Sequence, residues 1–99
     1  MKVVRLPQAL TDLVDTAEYI ASEDANVADR FFDAFESAVE LIRTTPKIGA
    51  VRLFEEQLEI RLWPIKGFEK CLIFYRATDT EIVIVRIIHA SRDYTQFFG

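Results

Sequence analysis

The apolar residues of this chain change their period at Gly49. Before it they recur at intervals of three and four, the spacing of a helix face. Beyond it they fall into short, strand-like runs bounded by turn residues. A chain with that order packs a helical part against a sheet. At 99 residues it suits one domain, 1–99, that buries roughly two thirds of its unfolded surface without a staple.

"KVVRL" (2 to 6) reads as a short strand, and Pro7 follows where a first helical turn tolerates it. Leu10, Leu13, Val14, Ala17, Ile20 and Ala21 then mark an amphipathic helix, with Asp12, Asp15, Thr16 and Glu18 largely on the other side. Ser22, Asp24 and Asn26 are each able to cap a second helix. That helix carries two adjacent apolar rows, Val27, Phe31, Ala34, Ala38 and Leu41 beside Ala28, Phe32, Phe35, Val39 and Ile42. The stripe is wide enough to meet the partner helix as well as the sheet, or to keep part of its surface for another chain. Thr45-Pro46 with Gly49 ends the helix.

Strands are expected at "VRLF" (51 to 54), "LEIRLW" (58 to 63), "KCLIFYRA" (70 to 77) and "EIVIVRIIHA" (81 to 90), joined by links short enough for antiparallel neighbours. The last is apolar at both parities, which suits an interior strand covered on both faces. Val83, Val85 and Ile87 share one face; Ile82, Ile84 and Ile88 share the other with Arg86. "SRDYTQFFG" has room for a short helix or tail anchored by Phe97 and Phe98. The expected class is α+β: an N-terminal strand and a two-helix hairpin packed on an antiparallel β-meander, with a short C-terminal helix or tail.

Apolar runs such as "IVIV" (82 to 85) fall far short of a membrane span, and "MKVVRLPQAL" lacks the apolar core of a secretion signal, so no membrane is expected and the cytoplasm is the expected address. Cys71 alone forms no intramolecular disulfide. The net charge of −4 argues against general nucleic-acid binding, but it is uneven. Residues 1–42 hold three bases and nine acids, whereas residues 43–99 hold nine bases and seven acids.

His89 is the only histidine, so no metal site is expected; three scattered glycines (49, 67 and 99) make no phosphate loop, and no cofactor is expected. A Cys71–His89 pair across neighbouring strands lacks any context for an activated thiol, so His89 is read as a strand-end residue bonded to nearby backbone. Glu55 and Glu56 fall in a solvated loop. The arginines remain: Arg61, Arg76, Arg86 and Arg92 lie on or beside the meander. Arg86 is either paired with Asp93 or a helix carboxylate, or an anchor on a concave sheet surface.

Four stretches, "ALTDLVDTAEYIA", "ADRFFDAFESAVELIRTTPKIG", "CLIFYR" and "VRIIHASRD", taken in this order across almost the whole chain, resemble the ParE-like toxins of the RelE/ParE superfamily of bacterial toxin–antitoxin modules, the plasmid-stabilisation kind. The resemblance implies a small toxin held inactive by a cognate, ParD-like antitoxin. Such an antitoxin has a ribbon-helix-helix DNA-binding head and a tail that wraps the toxin. It implies a toxin–antitoxin hetero-oligomer or a homodimer, and no specific DNA contact by the toxin itself.

RelE-like members cut messenger RNA on the ribosome; ParE-like members poison DNA gyrase and have no established catalytic site. An RNA cleaver needs positive charge along its sheet, and Glu55, Glu56 and Glu59 stand where that branch carries bases. The gyrase branch is therefore expected. In the RNA-cleaving alternative, Arg61, Arg76 and Arg86 fall near the cleaver's arginines and Tyr94 stands for its terminal tyrosine; the other alternative is a non-toxic relative that only binds an antitoxin. Arg61, Arg76, Arg86 and Arg92 on the meander are expected to contact target or antitoxin, and Phe32 and Phe35 on the wide apolar stripe to help dock the antitoxin. The resemblance assigns Pro46, Gly49, His89 and Asp93 to the scaffold.

Overall fold

Pro7 and Asp24 set the limits of the helical hairpin. Pro7 opens helix α1 (Pro7–Glu23), where its missing N–H is no loss. Of the three candidate caps the chain uses Asp24, whose carboxylate accepts the Asn26 N–H at 2.9 Å and which is the single residue between α1 and helix α2 (Ala25–Thr44). The computed structural model describes residues 1–55 and 58–92, and no side chains for 53–55. The expected tail helix with Phe97 and Phe98, together with Glu56, Asp93 and Tyr94, lies outside the described residues.

One five-stranded sheet carries the rest: β1 (Lys2–Arg5), β2 (Ala50–Glu55), β3 (Leu58–Ile65), β4 (Phe68–Ala77) and β5 (Glu81–His89), in the order β1-β5-β4-β3-β2. The meander β2 to β5 is antiparallel, as expected, while β1 lies parallel to β5 with Val3 opposite Ile82 and Arg5 opposite Ile84. Strand β5 is thus interior. Pro64, which has no N–H to donate, is tolerated within β3 because β2 pairs only as far as Leu62, leaving no neighbouring strand there that would need one.

The main core lies between the helices and one sheet face: Leu13, Phe31, Phe35, Ile42, Ile73, Tyr75, Ile84 and their neighbours. A second cluster, Ile60, Leu72, Phe74 and Ile88, is buried on the opposite face. In α1 the buried row is Ala9, Leu13 and Ala17, and the expected core positions Leu10 and Val14 are exposed. The reason is Asp12, which bonds to β5: Leu10 stands about 160° from it around the helix, so docking Asp12 turns Leu10 outward.

The face assignment expected for β5 is corrected by a β-bulge. Phe74 pairs with Arg86 but Tyr75 pairs with Ile84, so Val85 is an extra residue and the alternation flips there. Ile82, Ile84 and Ile87 all reach the helical core, while Arg86 and Ile88 take the far face.

Candidate functional site

Beyond Arg5 strand β1 gives way to α1, and the edge of β5 is taken up by a side chain. Asp12 accepts the Ile87 main-chain N–H at 3.0 Å, where a neighbouring strand would supply a carbonyl. The same carboxylate accepts Arg86 Nε at 2.7 Å and Nη2 at 3.0 Å, a bidentate pair with only 18% and 10% of the Arg86 and Asp12 side chains exposed. A helix carboxylate is thus one partner of Arg86, as the sequence allowed; Asp93, the other one it offered, lies outside the described residues.

Arg61 is directed elsewhere. It shares a row with Tyr75 on the helical side of the sheet and donates to the carbonyls of Gly49 (2.7 Å) and Lys47 (3.3 Å), with Glu59 at 3.2 Å. Arg76 pairs in register with Val83 on the opposite face. Arg92 follows β5 in an exposed turn. The four arginines therefore form no continuous basic track: two hold structure, on opposite faces of the sheet.

Tyr75 is fully buried, donates to the Pro46 carbonyl at 2.7 Å and accepts the Gly49 N–H at 2.9 Å. Gly49 is required by this approach, since a Cβ there would stand 2.7 Å from the phenol oxygen and 2.9 Å from the Leu62 carbonyl. Burial pushes the Tyr75 phenol above its ordinary ionisation range, partly opposed by the Gly49 N–H and the Arg61 charge. Cys71 and His89 are direct cross-strand partners. Burial raises the thiol, the reverse of what a nucleophile needs. His89 Nδ1 accepts the Ser91 N–H at 3.1 Å and lies 2.7 Å from its hydroxyl. Among the described residues no cluster of His, Cys, Asp and Glu is placed to hold a metal ion.

The two phenylalanines assigned to docking differ. Phe35 is 1% exposed and belongs to the core, with Arg5 stacked 5.6 Å above its ring, so it is unavailable to a partner. Phe32, 38% exposed, remains at the surface. Three residues along the helix leave Phe32 about 60° around from Phe35, enough to separate core from margin. On the other flank of α2 an open groove of about 540 Å³ runs between Ala34, Ala38 and Leu41 and the β3 residues Trp63 and Pro64, with Lys66 and Glu69 at its rim. Leu41 is 41% exposed there. Sequence reasoning named Leu41 only as part of the stripe and passed over Trp63, the chain's one tryptophan. Nor did it single out Asp12 or Tyr75; an acid at a fixed turn of α1 and a tyrosine closing the apolar run of residues 71–75 were the signals.

Among the described residues no helix is long and apolar enough to cross a membrane. The family model of the ParE toxin of the type II toxin–antitoxin system parDE matches residues 3–94. A solved structure described as a chromosomal ParDE TA system from P. aeruginosa is similar in fold, with a TM-score of 0.62 at 20% identity over 90% of this chain and 95% of that one. No curated protein sequence matches.

Proposed function

Because this chain belongs to the ParE toxin family of type II toxin–antitoxin systems, we propose that it is a toxin neutralised by a ParD-like antitoxin and that its target is DNA gyrase, which it poisons without a catalytic site of its own. The observation that carries the non-catalytic reading is the dispersal of the arginines. Arg61 is bonded to loop carbonyls on one side of the sheet, and Arg86 to Asp12 from the other. Guanidinium groups committed in this way are poorly placed to stabilise charge on one shared phosphate.

Support for the antitoxin comes from the groove beside α2. An apolar channel with Leu41 and Trp63 as walls and alanines as floor fits the apolar face of an amphipathic helix. Timed induction of the chain in a bacterial host, with DNA and protein synthesis pulse-labelled in the same culture, tests the target. DNA synthesis should fail first. If translation fails first, the gyrase reading is wrong and the chain behaves as an RNA cleaver.

A further inference from the structure

A second cleft, of about 460 Å³, opens between α1 and the end of β5, on the side of the sheet edge vacated by β1. Its main-chain chemistry follows from the ladder. Ala90 N–H donates to the Lys70 carbonyl at 2.6 Å, so alternation along β5 turns the main-chain groups of His89 and Ile87 away from β4 and toward the cleft. Asp12 takes the Ile87 N–H and Arg92 N–H takes the His89 carbonyl at 3.0 Å. The Ile87 carbonyl and the His89 N–H have no partner among the described residues. An acceptor and a donor two residues apart on a strand edge are what one residue of an added, extended chain requires.

Asp12 and Asp15 line the cleft from α1, Asp12 already paired with Arg86; Arg92 lines it from the turn after β5 and makes no ion pair among the described residues. Tyr19, 72% exposed, supplies an aromatic wall. We infer that this cleft binds the end of an extended peptide that continues the lane of β1 parallel to β5, pairing with Ile87 and His89 and placing its terminal carboxylate on Arg92. The site is separate from the α2 groove and goes beyond the reading above.

The test is a titration of the ¹⁵N-labelled full chain with the peptide acetyl-Thr-Val-Thr-Val, once with a free carboxylate and once as the terminal amide. Saturable amide shifts at His89 and its neighbours are expected, with the amide form about tenfold weaker or more, and with Arg92→Gln bringing the free acid down to the amide's affinity. Leu41→Glu, in the other groove, should leave the titration unchanged. Absence of shifts at His89, equal binding of both peptides, or full binding by Arg92→Gln overturns the inference. So does loss of binding in Leu41→Glu, which would put the peptide in the α2 groove. Shifts at the same amides on concentrating the chain alone would assign the edge to a second copy and equally overturn it.

Discussion

The phenol of Tyr75 ties the segment after α2 to the sheet, and its two bonds are open to direct measurement. Tyr75→Phe keeps the ring but leaves the buried Gly49 N–H and the Pro46 carbonyl without their partner. A loss of about 1–3 kcal/mol in urea unfolding is expected, as for other buried groups left unsatisfied. Gly49→Ala should cost a similar amount by a different route, because its Cβ meets the Leu62 carbonyl, which cannot swing aside like a flexible side chain. The raised ionisation of Tyr75 adds a pH signature. The native state holds this proton more tightly than the unfolded chain, so the stabilisation is complete below the ordinary phenol value of about 10 and is lost as pH rises from there through the native value. Unfolding midpoints measured from pH 8 to 11 should therefore fall more steeply for the wild type than for Tyr75→Phe.

At the scale of elements, Asp12 does for α1 what Tyr75 does for the segment after α2: it fixes a helix against β5 through three hydrogen bonds from one strand. Asp12→Ala removes one partner of a largely buried pair and frees a strand-edge N–H, so a loss of about 3 kcal/mol is expected by chemical denaturation. Asp12→Asn, which still offers an oxygen to the Ile87 N–H, should lose less. The two helices, their shared boundary near residue 24 and the four-stranded meander were legible in the sequence because hydrophobic period is a property of the chain itself. The bulge at Val85 was not: β5 is apolar at both parities, so an inserted residue leaves no mark in the pattern. The same limit explains Phe32 and Phe35, since two adjacent apolar rows on α2 show how wide the stripe is but not where the sheet meets it. The parallel pairing of β1 with β5 was equally silent, because four residues carry no directional signal.

The whole molecule presents an acidic hairpin above a mixed sheet, and the structure shows how much of that charge is already answered. Asp12, Glu36 and Glu40 are paired with Arg86, Arg5 and Arg43, the Arg5 guanidinium holding the Glu36 carboxyl below its usual range by hydrogen bonding. Asp15, Glu18, Glu23, Asp29 and Asp33 have no ion pair among the described residues. An antitoxin segment lying along α2 in the groove would meet apolar walls at Leu41 and Trp63 with Lys66 and Glu69 at the rim, while Asp33 and Asp29 stand about 100° and 140° around α2 from Ala34 and act on it through their longer-range field. These two contributions respond to different variables. Leu41→Glu places a charge in the apolar channel and should weaken the complex at least about tenfold at every ionic strength, because an anchor in a desolvated groove contributes roughly 1–3 kcal/mol. Asp29→Asn with Asp33→Asn should weaken it mainly at low salt, since exposed charges are screened beyond about 10 Å at 0.1 M. Affinity for the cognate antitoxin measured by calorimetry from 50 mM to 500 mM salt separates them: parallel lines for the groove variant, converging lines for the charge variant. A wild-type affinity that is flat across that range would remove the electrostatic part of this account and leave the groove to carry the binding alone.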